Sequence, residues 1–389
     1  MPLKGATGCE STSCDQSINL TLSERGITAV KQAGHAALLN NIMNDTVPVI
    51  GRMAHGRDPN GSLYERSHLY DAKGRATQAI DRFSLNSHLQ DAIRSMPNVD
   101  VFFSHKLIKA DLQSRHALFE TQDGTQVTVS FDLLIGADGA HSAVRQQLLK
   151  SCPVDYQQQY HDIAWVAFHL SPGRVDGKGQ GSRYRISPNH LHIWPSNDLM
   201  FVAIANKDGS FTCTLFLPTK QSAELNSRPS DLPAFFDSHF PGVTDLIPAE
   251  NLISSFIQSP SLPIFTQKCR PFSYSSSCVI VGDAAHTIVP FYGQGVNAGM
   301  EDVRILFSIL DKHTPTSEPC HDLPFHRSHA LAEYSAVREA DAHAIHSLAL
   351  DNYAELRACL SRRYRARKLV EEFVAERVPA SGWQTRAEC

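Results

Sequence analysis

Apolar and polar positions follow two rhythms along the chain. The run Cys278-Val279-Ile280-Val281 has the length and β-branched content of a buried strand; it breaks at Gly282 and leaves Asp283 at the strand end. A helical period then runs from Met300 to about Leu310, behind the glycine-rich stretch Gly293-Gln294-Gly295-Val296-Asn297-Ala298-Gly299. Nearer the start, Ser17 to Leu22 predicts a short strand. A helix follows with Ile27, Val30 and Ala33 on one face, and Ser23 is the candidate N-cap. The turn cluster Asp58-Pro59-Asn60-Gly61 predicts a hairpin between Arg52-Met53-Ala54-His55 and the residues after Ser62. An amphipathic helix is predicted over Leu85 to Met96, with Arg82 between a strand end and the helix start.

From Val99 the pattern reads as strands around a Gln122-Asp123-Gly124 turn, the last strand covering Phe131 to Ile135. It runs into a sharp Asp138-Gly139 turn, with Ser142 as a cap and Val144 opening a helix. Between Tyr160 and Pro218 the spacing shortens to an antiparallel meander, on which His192 and Trp194 share a face and belong to a core. Leu232 to Phe240 predicts a short helix, Lys312 to His326 a linker, and Arg327 to about Glu376 a largely helical segment that includes the basic run Arg362 to Lys368, read as a solvated face. Residues 1–16 and the stretch after Pro379 are polar and aperiodic, and are expected to be disordered and frayed.

Composition narrows the function. The 389 residues carry 36 Lys+Arg against 40 Asp+Glu with no dominant patch, which argues for small-molecule chemistry over nucleic-acid binding. Nine cysteines, odd in number and without a C-x-x-C pair, suit a reducing compartment, and the 19 histidines show no metal-ligand spacing, so no metal is expected. A glycine-rich entry into a helix offers unpaired N–H groups and the positive end of the dipole to an electron-rich group. Its G-x-G-x-x-x-G spacing, after a long loop, is not the dinucleotide fingerprint.

Two motifs, Gly136-Ala137-Asp138-Gly139-Ala140-His141-Ser142-Ala143-Val144-Arg145 and Gly282-Asp283-Ala284-Ala285-His286 with its Pro290-Phe291 and Gly293-to-Asp302 continuation, resemble those of the flavin-dependent aromatic hydroxylases. The phrases SINLTLSERG, HLHIWP, DGSFTCTLFLP and DNYAELR are similar to the kynurenine 3-monooxygenase branch, over about Ser17 to Arg367. The resemblance implies an α/β fold: a Rossmann-like FAD domain (17–150 and 266–311), an inserted antiparallel-sheet substrate domain (151–265, joined by 47–82) and a C-terminal linker and helices (312–389). It implies FAD as cofactor, NADPH and O2 as co-substrates, and hydroxylation of L-kynurenine through a flavin C4a-hydroperoxide, with no side chain as nucleophile and an outer mitochondrial membrane location.

Carried onto this sequence, Arg52 and Asn352 are expected at the substrate carboxylate and ring, with Pro290, Phe291 and Tyr292 lining the pocket. Arg82, Asp138, Gly139, Asp283, Gly293, Gly295, Val296 and Asn297 are expected at the cofactor. The family's opening strand, G-x-G-x-x-G and helix are not found, since Gly5 and Gly8 cannot form them, so the FAD domain is expected to be incomplete and the C-terminal anchor missing. Gln16 stands where the family has Arg, and the pocket Tyr expected shortly before Arg82 reads as Ala76. The alternative function is an inactive relative that binds substrate or a partner without FAD.

Overall fold

The structure is a computed structural model that describes residues 20–358 apart from 71–73, 175–181, 260 and 315–321, and for residue 36 and residues 354–358 the backbone alone. The predicted polar ends and the basic run Arg362 to Lys368 lie outside the described residues.

The chain opens with β1 (Leu20–Leu22), α1 (Glu24–Gln32), α2 (Ala36–Asn44) and β2 (Val47–Val49). The predicted hairpin follows as β3 (Gly51–Arg57) and β4 (Leu63–Leu69), closed where the Asp58 N–H donates to the Ser62 carbonyl at 2.8 Å. β5 (Thr77–Ile80) then pairs antiparallel with both β1 and β2. α3 (Arg82–Arg94) begins before the predicted Leu85, because the Asp81 carboxylate accepts the Ser84 N–H at 2.9 Å. Arg82 is therefore the first helical residue rather than part of a connection. Ser23 precedes α1 as expected, yet its hydroxyl makes no capping bond.

β6 (His105–Asp111), β7 (His116–Thr121) and β8 (Gln126–Ser130) form a three-stranded antiparallel sheet around the predicted Gly124 turn. β9 (Leu134–Gly136) starts three residues later than the apolar run predicted, and α4 (Ala143–Ser151) follows. The meander appears as β10 (Asp155–Leu170), β11 (His190–Ser196), β12 (Leu199–Ala205) and β13 (Phe211–Leu217). α5 (Thr219–Ser227), α6 (Leu232–His239), α7 (Val243–Leu246) and α8 (Ala249–Gln258) lead to β14 (Leu262–Arg270), which returns along β10.

These strands build a seven-stranded sheet in the order β14-β10-β13-β12-β11-β3-β4. It is not purely antiparallel as predicted: β11 runs parallel to β3, pairing His190 with Gly51 and Ile193 with Ala54. Its alternating residues serve two cores. Val166, Phe168, Trp194, Phe201, Phe211 and Leu215 face Phe236, Phe240, Leu252 and Phe256 of the covering helices. Ile163, Ile193, Met200 and Phe216 face Val289, Phe291 and Ala349.

His192 and Trp194 lie in the first core, as expected, together with His55. His192 Nε2 sits 2.7 Å from the Ser187 carbonyl, so that nitrogen carries the proton, and His192 Nδ1 accepts from His55 Nε2 at 2.7 Å. Burial holds His55 down to about 3 and His192 to about 4, so both stay neutral. Unfolded histidines take up protons below about 6.5, which the folded pair resists, so stability drains away as pH falls from there. Thermal melts from pH 7 to pH 5 should show a falling midpoint, and His55→Gln should flatten the slope.

β15 (Ser273–Tyr274) and β9 flank β16 (Cys278–Ile280), which is fully buried as predicted. α9 (Gly295–His313) starts at Gly295, ahead of the expected Met300, and α10 (Leu323–Ala358) begins inside the segment read as a linker.

Candidate active site

β9 and β16 are parallel neighbours, with Leu134 opposite Cys278 and Gly136 opposite Ile280. Both motif loops therefore leave the sheet side by side at the carboxyl ends of their strands, where open α/β sheets take ligands. The buried Arg145 joins them: Nη1 donates to Ala284 O at 2.8 Å and Nη2 to Ala140 O at 2.6 Å. Asp138 spends its carboxylate on the start of α4, accepting from Ser142 Oγ and the N–H groups of Ala143 and Val144. Gly139 makes the turn at φ +76°. Both residues shape the loop, and the Asp138 carboxylate makes its hydrogen bonds within it and the start of α4.

The Asp283 loop is pinned from beneath. Gly282 has φ +59°, and a Cβ there would lie 3.6 Å from the Gly299 Cα, so strand end and helix α9 meet backbone to backbone. The Gly282 N–H donates to Asp302 Oδ2 at 2.8 Å. The Asp283 side chain is exposed to solvent at its surface yet ringed by protein, the situation of a cleft wall, and accepts no hydrogen bond from the described residues. Desolvation pushes its carboxyl up and nearby Asp302 adds to this, while His286 and Arg82 oppose. Arg82 and Asp283 are thus close enough to feel one another's charge, as a shared cofactor site requires.

The glycine-rich stretch closes the cleft. Asn297 is wholly buried and spent on the protein: Nδ2 donates to Thr21 O at 2.7 Å and Gly293 O at 3.0 Å, and Oδ1 accepts the Ser23 N–H at 2.8 Å. Gly293 has φ +64°, and a Cβ on it would meet Thr21 Oγ1 at 2.8 Å. No side chain caps α9, so the N–H groups of Gly295, Val296 and Asn297 lack intrahelical partners. The Asn297 amide is thus committed within the protein, and its backbone N–H is what remains open.

Beyond Gly293 the chain turns through Pro290–Tyr292 toward Arg52. Arg52 Nη2 donates to Asn352 Oδ1 at 3.2 Å, and Asn352 Nδ2 donates to Phe291 O at 2.5 Å. The Arg52 Nε is buried without a partner among the described residues. Phe291 stacks on Tyr353 with ring centroids 4.0 Å apart and leans on Phe216 at 4.9 Å. Tyr292 lines a cavity of about 350 Å³ with Ser23, Gln294, Arg338 and Leu348. A larger cavity of about 680 Å³, lined by Asp45, Phe168, Lys207 and Asn206, holds none of the predicted site residues.

The hairpin register places beside Arg52 a tyrosine that the sequence reading did not name. Arg52 pairs with His68, which puts Tyr70 on the same face one diagonal away, and the Arg52 guanidinium lies 5.5 Å from its ring centre. Counting back from the 58–61 turn would have found Tyr70.

A half-buried arginine set against an aromatic cluster, beside a turn with an unbonded aspartate and an uncapped helix start, is the setting of an FAD-dependent monooxygenase. The comparisons agree. The family described as FAD binding domain matches residues 19–317. The fold is shared with PqsL, a probable FAD-dependent monooxygenase from Pseudomonas aeruginosa (TM-score 0.65, 19% identity, 91% of this chain and 90% of that one). It is shared too with Klebsiella pneumoniae HpxO, solved with FAD and uric acid (TM-score 0.61, 18% identity, 92% and 84%). At higher identity stand the kynurenine 3-monooxygenases of Chaetomium globosum (52% over 386 residues; 95% of this chain, 81% of that protein) and Neurospora crassa (50% over 388; 95% and 75%). The chain belongs to the kynurenine 3-monooxygenase family.

Proposed function

We propose that this chain hydroxylates L-kynurenine at the ring position beside its amino group, consuming NADPH and O2. The balance is kynurenine + NADPH + H⁺ + O2 → 3-hydroxykynurenine + NADP⁺ + H2O. The observation that carries the proposal is the bridge through Asn352, which ties the Arg52 guanidinium to the carbonyl of Phe291, two residues before the glycine-rich loop.

The residues present fit the flavin half of FAD. Asp283 offers an acceptor to a ribityl hydroxyl, the open N–H groups at Gly295, Val296 and Asn297 suit the electron-rich edge of the flavin, and Arg82 suits a phosphate. FAD, when bound, supplies the redox chemistry, taking electrons from NADPH and activating O2. The protein binds and orients. Arg52 takes the substrate carboxylate in a charge-assisted fork, Tyr70 and Asn352 fix the guanidinium's plane, and Pro290, Phe291 and Tyr292 exclude water around the ring. The ring itself is the electron-rich partner, so no nucleophilic side chain is needed.

Among the described residues no helix is long and apolar enough to cross a membrane. The outer mitochondrial membrane is carried as the expected location, to be checked by fractionation. The test of the function is substrate choice: flavin-loaded protein should oxidise NADPH faster with kynurenine than with salicylate or hydroxybenzoate. Equal stimulation by all three would overturn the assignment.

A further inference from the structure

We infer that Arg338 is a positioning residue for the flavin cleft, acting through Asp302 on the Gly282–Asp283 turn. The inference rests on the reading of Asp283 as a cofactor ligand and goes beyond it, because Arg338 lies on α10, far along the chain from either motif.

Asp302 is fully buried, and both its oxygens are committed. Oδ2 accepts the Gly282 N–H at 2.8 Å and faces His286 Nε2 at 2.6 Å. Oδ1 is held by Arg338, with Nε and Nη2 each at 2.8 Å. The third guanidinium nitrogen, Nη1, reaches Asp341 at 2.8 Å and Glu301 at 3.3 Å. Arg338 is 2% exposed and His286 3%. Two guanidinium nitrogens thus clasp one carboxylate oxygen, and the second oxygen holds the backbone N–H immediately before Asp283. A lysine could neutralise Asp302, but its single ammonium could not supply both nitrogens.

Two features set this cluster apart from an ordinary buried ion pair. The group it holds is the N–H of a glycine at φ +59°, directly before Asp283. The same helix also carries Asn352, about 21 Å further along at roughly 1.5 Å per residue and on nearly the same side. α10 therefore grips the flavin loop with Arg338 and the substrate arginine with Asn352, setting the distance between the two halves of the site.

The charged and titratable groups facing Asp302 are Asp283 and His286 from the loop and Tyr334 and Arg338 on α10, with Glu301 on α9 and Asp341 on α10 facing Arg338 in turn. Desolvation is the largest single influence on each and opposes the charged forms; against it, His286, Arg338 and the Gly282 N–H together lower the Asp302 carboxyl, and Asp302 with Asp283 raises His286. Without Arg338, His286 becomes the only positive group bonded to Asp302 among the described residues. Its loss of a proton at alkaline pH would then leave a lone buried carboxylate.

The test is FAD titration of apoprotein, followed by flavin fluorescence, with kynurenine binding measured separately. Arg338→Met should weaken FAD at least tenfold at pH 7, and more at pH 8.5, while kynurenine affinity stays within twofold. Arg338→Lys should restore the melting temperature but not the FAD affinity, which a purely structural role would restore as well. Should Arg338→Met not fold, Glu301→Gln/Asp341→Asn removes only the outer anchors of the guanidinium and should weaken FAD about threefold. FAD affinity unchanged in Arg338→Met, or in the outer-anchor variant if that is the one that folds, overturns the inference. So does recovery of FAD affinity in Arg338→Lys. Failure of the unmodified protein to bind FAD would instead overturn the proposed function.

Discussion

Arg52→Ala is expected to lower kcat/KM for kynurenine by about 10²–10⁴-fold while leaving flavin content unchanged. A hydrogen bond to a charged group contributes about 1.5–3 kcal/mol, and an arginine fork makes two, which converts to a loss of that order. The loss should sit mainly in KM, because carboxylate binding is shared by ground and transition states. Arg52 bonds to Asn352 and lies over Tyr70, and among the described residues no hydrogen bond joins it to the Asp283 loop. Arg52→Lys should fall between, retaining charge without the fork. Steady-state kinetics with flavin absorbance on the same preparation check both halves; a colourless Arg52→Ala would refute the role.

The second large effect is expected at Asp283, with opposite signs for stability and binding. Its carboxyl is raised above the ordinary value by desolvation first, so the folded apoprotein disfavours the ionised form. The sign follows: a carboxyl raised on folding costs stability progressively as pH climbs through its titration range, and the cost is fully present at neutral pH. Asp283→Ala should therefore melt at or above the unmodified protein at pH 7, yet bind FAD about 10–100-fold more weakly, the value of one hydrogen bond from a charged group. Asp283→Asn keeps an acceptor and should lose less. Melting curves without flavin and titrations with it separate the two effects. A protein stabilised by Asp283, with unchanged flavin affinity, would mean the residue serves the fold.

The parts of the site that were legible in the sequence are those with local causes. β16 and the break at Gly282 follow from four apolar residues and a glycine, and the 58–61 hairpin from its turn residues. Helix starts were displaced wherever an upstream group decided them: Asp81 caps α3 and so pulls Arg82 into it, and α9 begins at Gly295, where the apolar period is not yet visible. The sheet's parallel β11–β3 pair joins segments some 140 residues apart, and nothing local encodes it. The same holds for Arg145 on Ala284, Asn297 on Thr21 and Arg338 on Asp302, each a single side chain answering a backbone or carboxylate brought near only by folding. Tyr70 differs, since the hairpin register set by the 58–61 turn already places it beside Arg52.

The most direct measurement of the central claim is product analysis of one reaction: purified protein with FAD, NADPH, kynurenine and ¹⁸O2, read by mass spectrometry alongside NADPH consumption. The account predicts 3-hydroxykynurenine bearing one labelled oxygen per NADPH oxidised, abolished when Asp283→Ala and Arg52→Ala are combined. NADPH oxidation that yields only hydrogen peroxide, or unlabelled kynurenine with no flavin retained, would contradict it.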